Sequence, residues 1–241
     1  YGSEAKTGDP KTNTLDLPIS IYETTTDSSG LSIVAWVSQI QVIDNSLQIT
    51  DFLQFLNSGD KAYSSDVSVD GSRFAGVQFQ VPNDAEILSA DATNPRYTVG
   101  ADGHSVVDTA PVLPGEGYIF QMVYRVPYSG DRQIAQVIPY RVNGAYRLLS
   151  NNAGVSMTSE KLKSLGTQDL SGVKYDAYGD TLDLKAGGTV SYRVQGGSTA
   201  SSTATGTPTN VISSNQLIPL ILVTAGLVVL GMGVGVYLRG R

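Results

Sequence analysis

Between residues 31 and 195 apolar and polar positions alternate in short runs with a period of two, and turn-forming residues interrupt them every few positions. Leu31–Ile43 (LSIVAWVSQIQVI) is the most apolar of these runs, with Ile33, Ala35 and Val37 alternating against Val34, Trp36 and Ser38. Alternation of this kind sends successive side chains to opposite faces of a strand. Asp44, Asn45 and Ser46 supply a turn and residues 47–56 a second run, so the pair predicts a hairpin. The crowding of Phe52, Leu53, Phe55 and Leu56 could open a helix instead, but the β-branched flanks and the Asn57-Ser58-Gly59 stop favour a buried strand. Further strands are predicted over 74–81, 86–88, 105–109, 117–126, 133–138, 145–149, 154–158, 173–178, 181–184 and 189–195. Residues 159–165 (SEKLKSL) are the one stretch of this region expected to form a helix, two turns long. Many short strands without intervening helices predict a mostly β sandwich or barrel rather than a βαβ fold.

The pattern changes character at residues 217–238, a run without a single charge that is closed by Arg239, Gly240 and Arg241. As a helix it would reach roughly 33 Å, enough to cross the hydrocarbon layer of a bilayer. It lacks the polar alternation of a barrel strand, so a single transmembrane helix is expected. Positive charges favour the cytoplasmic side, which puts Arg239 and Arg241 inside and the large N-terminal part outside. The chain begins at Tyr1, as expected if an export signal had been removed. The predicted organisation is an extended segment over 1–14, a main β-sandwich over 15–150 and a small β unit over 151–196 packed on it. A Ser/Thr/Gly linker over 197–215, a transmembrane helix over 216–238 and a cytoplasmic end over 239–241 complete it.

Several segments resemble a group of bacterial exported proteins that carry immunoglobulin-like or carboxypeptidase-regulatory-like β-sandwiches and a C-terminal membrane anchor. The matching pieces are residues 55–63 (FLNSGDKAY), 79–85 (FQVPNDA), 108–116 (DTAPVLPGE) and 124–128 (YRVPY). The resemblance implies an immunoglobulin-like sandwich in a non-catalytic envelope protein and carries over no active site. The N-terminal regulatory-like domain of some such proteins is missing here.

Composition narrows the chemistry. There are no cysteines, which removes disulfides and thiolate-held metals, and one histidine, His104, in a Gly-Ala-Asp-Gly-His turn. No Gly-x-Ser-x-Gly, Walker or dinucleotide motif is present. No cofactor is therefore expected. The net charge of −6 disfavours a nucleic-acid partner. Asp66, Asp70, Asp91, Asp102, Asn83 and Asp84 fall in predicted turns, and Asp66-Val-Ser-Val-Asp70-Gly71 is the best candidate for a calcium loop, although scattered solvated turns explain these residues more simply. Thirteen tyrosines against five phenylalanines suit sheets whose rings cover apolar surface while their hydroxyls reach polar partners; Trp36 is expected in the core.

In the uncharged run Gly231 and Gly235 are spaced as Gly-x-x-x-Gly, a small-residue face that would let another helix approach closely, and Gly226 with Ala225 and Thr224 adds small residues one turn or more away. These features predict a non-catalytic accessory subunit of a larger membrane complex, with an electron-transfer assembly as one suitable host. Its partners would be other membrane subunits and the lipid bilayer. A surface adhesion or envelope-matrix protein is the second reading, and a membrane-tethered hydrolase using paired carboxylates is the third.

Overall fold

The computed structural model describes residues 20–89, 96–170 and 172–197, and these are mostly β. In chain order the strands are β1 (Thr24–Thr25), β2 (Leu31–Ile43), β3 (Ser46–Asn57), β4 (Ala62–Tyr63), β5 (Val77–Gln80), β6 (Glu86–Ile87), β7 (Tyr97–Val99) and β8 (Ser105–Asp108). They continue with β9 (Gly115–Pro127), β10 (Asp131–Ile138), β11 (Arg141–Ser150), β12 (Val155–Thr158), β13 (Lys163–Leu170), β14 (Val173–Leu184) and β15 (Gly188–Gly196). A seven-stranded sheet runs β13-β14-β11-β2-β3-β9-β6; two three-stranded sheets run β10-β15-β12 and β5-β8-β7. A small parallel pair joins β1 and β4.

The expected hairpin is β2–β3, paired from Leu31↔Asn57 to Ile43↔Ser46 and turned at Asp44, whose φ of 52° is left-handed. Aspartate tolerates that region better than most residues. The alternation read from β2 is corrected at one point. A register shift between Ile33 and Ala35 changes the parity, so Ile33, Trp36 and Ile40 share the inner face while Ala35 and Val37 turn to the other. The shift is matched across the parallel β11–β2 ladder, where the register breaks between Val142 and Ala145. A Cβ at Gly144 would sit 1.8 Å from the Val34 carbonyl oxygen, so only glycine admits this bulge.

The helix expected over 159–165 is replaced by strand β13, which pairs antiparallel with β14 from Lys163↔Gly179 to Leu170↔Val173. Gly166, at φ 71°, marks a register irregularity in it, and the strand lies exposed at the sheet edge. The two runs read over 173–178 and 181–184 are one strand. Gly179 lets β14 pass where a Cβ would lie 2.5 Å from the Tyr146 carbonyl oxygen.

A single apolar cluster unites the inner face of the seven-stranded sheet with both three-stranded sheets. Trp36, Leu53, Phe55, Phe120 and Leu148 meet Phe79 and Val106 on one side and Ile134, Tyr192 and Val194 on the other. Trp36 is buried as expected, and its ring lies 4.4 Å from that of Tyr146. Of the tyrosines, Tyr63, Tyr124, Tyr128, Tyr140, Tyr146, Tyr175 and Tyr192 are buried. A second, smaller cluster of Ala35, Val37, Phe52, Leu149, Tyr175 and Ala177 occupies the opposite face of the large sheet. Residues 151–196 enter the seven-stranded sheet and one of the three-stranded sheets: β14 extends the ladder of β11, and β15 pairs with β10 from Asp131↔Gln195 to Ile138↔Gly188.

Candidate functional site

The turn carboxylates singled out above are spread over separate loops. Asp70 accepts the backbone N–H groups of Ser72 and Arg73 at 3.1 and 2.9 Å and the Arg73 side chain at 2.7 Å. The Arg73 guanidinium, helped by the other donors, holds the Asp70 carboxyl well below the usual carboxylate range. Its oxygens are thereby engaged within its own turn rather than directed at a shared point with Asp66. Asp102 accepts the His104 backbone N–H and the Ser105 hydroxyl at 2.9 and 2.8 Å, with His104 exposed. Asp84 pairs with Arg132 at 2.7 Å. Among the described residues no three His, Asp or Glu side chains come together to hold a metal ion. Asp91 and the glycines expected to pack against another helix, Gly226, Gly231 and Gly235, lie outside the described residues.

Three side-chain constellations were not anticipated from the sequence. The first is a bidentate pair at the end of β8. Asp108 is fully buried, and Arg96 reaches it at 2.6 Å while lying 5.1 Å from the Tyr118 ring centroid. Burial opposes the Arg96 charge, but the Asp108 hydrogen bonds and charge more than offset it and raise the arginine's pKa.

The second is Asp51, in the middle of β3 and facing the core. It is 1 % exposed. One carboxylate oxygen accepts Trp36 Nε1–H at 3.1 Å and the Ser38 hydroxyl. With its proton given to Asp51, Ser38 Oγ is left to accept the Tyr146 hydroxyl at 3.0 Å. The other carboxylate oxygen and the Tyr124 hydroxyl are buried without a hydrogen-bond partner among the described residues. Burial pushes Asp51 up to about 6, against the pull of Ser38 and Trp36.

The third is a cleft of about 490 Å³ where the edges of the two three-stranded sheets approach each other, lined by Tyr63, Asp66, Gln78, Gln80, Val137 and Tyr140 among others. Tyr140 is fixed by the Phe55 and Phe79 rings at 5.3 and 5.5 Å, and its hydroxyl accepts the Gln78 backbone N–H at 3.1 Å. The register of β5 on β8 continues to Val81, whose N–H donates to the His104 carbonyl at 2.8 Å. Residues 77, 79 and 81 therefore turn their backbone groups to β8, and Gln78 and Gln80 turn theirs to the cleft. In β10 the even-numbered residues face β15, as the bond from Gly196 N–H to the Gly130 carbonyl shows, so Ala135 and Val137 present theirs outward. Among the described residues no further strand pairs with either strand edge bordering the cleft. Its parts come from four separated stretches of chain, which is why no local motif announced it.

No family model matches the chain, and no curated protein matches it. Among solved structures it is similar to a two-domain M1 zinc metallopeptidase bound to L-tryptophan, with 11% identity, a TM-score of 0.44 and coverage of 69% of this chain and 43% of that one. An M1 zinc metallopeptidase from Deinococcus radiodurans gives 12% identity and a TM-score of 0.43, with 69% and 42% covered. The chain spans less than half the length of these proteins.

Proposed function

We propose that this chain is a non-catalytic, membrane-anchored accessory subunit of a larger membrane complex. Its immunoglobulin-like β-sandwich head stands outside the cytoplasm, and the span over 216–238 packs against other membrane subunits through Gly226, Gly231 and Gly235. The observation that carries this reading is the uncharged run over 217–238, preceded by a Ser/Thr-rich linker and followed by two arginines. Such a run is long enough to span, and its glycines suit close helix approach rather than a passive tether. The shared core beneath the sheets supports a sandwich head, since Trp36 and Tyr146 at its centre meet residues of the facing sheets. Extraction in a mild detergent followed by native mass spectrometry tests the reading. Stable additional subunits are expected, together with their loss in the Gly231→Leu, Gly235→Leu variant. A chain that is released by salt without detergent, or that always runs alone, would refute it. Glycan affinity in a lone, detergent-extracted chain would favour the adhesion reading instead.

A further inference from the structure

We propose that the cleft between β5 and β10 takes an extended segment of a partner polypeptide, which adds to the β5 edge as a further strand. This goes beyond the anchoring role and does not depend on it, because every group involved belongs to the head. Three features of the cleft carry the inference.

The first is unsatisfied backbone. Of the groups that Gln78 and Gln80 turn away from β8, the Gln78 N–H is used by Tyr140. Among the described residues the Gln78 carbonyl and both main-chain polar groups of Gln80 have no backbone partner, and an added strand needs main-chain donors and acceptors at this spacing. The second is that only the shortness of β5 and the Tyr140 cap on one N–H guard its edge. β13, the long edge of the large sheet, carries Lys163 and the left-handed Gly166, devices that discourage pairing. β5 (Val-Gln-Phe-Gln) has neither a charge, a proline nor a glycine, and Val137 across the cleft is 53 % exposed. The third is the shape of the lining. The rings of Tyr63 and Tyr140 are each only 6 % exposed, so neither offers the open face on which a sugar ring stacks. What remains open is main chain, amide and valine surface, which matches an extended peptide.

The side chains define the class of peptide. Alternate residues of the incoming strand would point toward Val137 and the rims of the two tyrosines, so they should be small and apolar. Asp66, the one charged group of the lining, has no ion-pair partner among the described residues and favours a lysine or arginine beside that stretch.

The test is selection of a random dodecapeptide display library on the full chain held in non-ionic detergent micelles, with affinities of the enriched peptides measured by fluorescence anisotropy. Two variants read the geometry. Gln80→Pro removes the outward N–H without touching the β8 ladder, and Val137→Lys places in the exposed wall a positive charge that repels the basic residue of the peptide. Enriched peptides should show alternating small apolar residues with a basic neighbour, should slow hydrogen exchange of the Gln80 amide, and should bind each variant roughly tenfold more weakly. The Val137→Lys arm keeps the test readable if Gln80→Pro lowers folding yield. Failure to enrich any peptide, or peptides that bind both variants as well as the parent chain, would overturn the proposal. So would saturable binding of cellopentaose that is lost in Gln80→Pro while no peptide is enriched. Loss of peptide binding in a chain that still copurifies with membrane subunits would separate this failure from failure of the anchoring role.

Discussion

Replacing Asp51 by asparagine should make the protein more stable at pH 8 and remove the loss of stability that Asp51 causes as the pH rises through 6. Asp51 is buried, and its folded-state pKa is about 6 against a reference value of 3.8. Because the folded pKa lies above the unfolded one, the folded state binds the proton more tightly. The stability this group contributes is fully present below about pH 4 and is lost as the pH rises through 6. A difference of about two units corresponds to about 3 kcal/mol at 1.36 kcal/mol per unit. The titratable groups facing Asp51 are Tyr124 from β9, Tyr146 from β11 and Tyr192 from β15, all of which burial drives further above their ordinary range. They remain neutral across the window, so the response belongs to the carboxyl. Trp36, the only tryptophan of the chain, donates directly to Asp51 and supplies the readout. Urea unfolding of the full chain in non-ionic micelles, followed by Trp36 fluorescence from pH 4 to pH 8, should show a stability difference between parent and Asp51→Asn that shifts by about 3 kcal/mol in favour of the variant. Subtracting the two curves cancels carboxylates such as Asp131 and Asp180, whose pKa values are lowered and whose contributions are lost only at more acidic pH. A difference that stays constant within 1 kcal/mol across this range would refute the assignment of a strained, proton-binding carboxyl.

Three further outcomes follow from particular contacts. Gly144→Ala should destabilise by at least about 3 kcal/mol or prevent folding, because the new methyl would meet the Val34 carbonyl at 1.8 Å, whereas Gly103→Ala, at φ 72° with open space around it, should cost about 1 kcal/mol; thermal melts compare them. Asp108→Asn should cost roughly 2–4 kcal/mol in urea unfolding, since it removes the charge that the part-buried Arg96 grips, with the partial exposure of Arg96 setting the lower end. Gly231→Leu with Gly235→Leu should leave the melting temperature of the head unchanged while native mass spectrometry records loss of companion subunits.

The parts of the fold that local pattern dictates were readable in advance. β2 and β3 are long, β-branched and separated by a turn that aspartate tolerates, so period and punctuation agree. The helix expected over 159–165 failed because Leu162 and Leu165 fit a helical spacing, while the pairing partner that decides the matter, β14, lies beyond the segment. Tertiary pairing overrode propensity there. The parallel contact of β11 with β2 joins residues more than a hundred positions apart, and no periodicity encodes a partner at that distance. Asp51 carried a usable signal: an acid at an inward position of an apolar strand requires donors, and Trp36 and Ser38 are the inward residues of the hairpin partner.

The same logic explains why the cleft was invisible and the Asp51 cluster nearly visible. Asp51 draws its partners mainly from its own hairpin, whose register follows from a two-residue turn, so one correct pairing would have located them. The cleft exists because β5 pairs with β8 and β10 with β15, leaving the outward edges of β5 and β10 to border the same space. Neither pairing is between neighbours in sequence, and the feature that matters is the direction of main-chain groups rather than any side chain. Side-chain patterns cannot report which edge of a strand is left open. A binding mode built on backbone is therefore readable only once the order of strands is known, and here that order leaves the outward backbone groups of β5, Val77 to Gln80, beside the cleft.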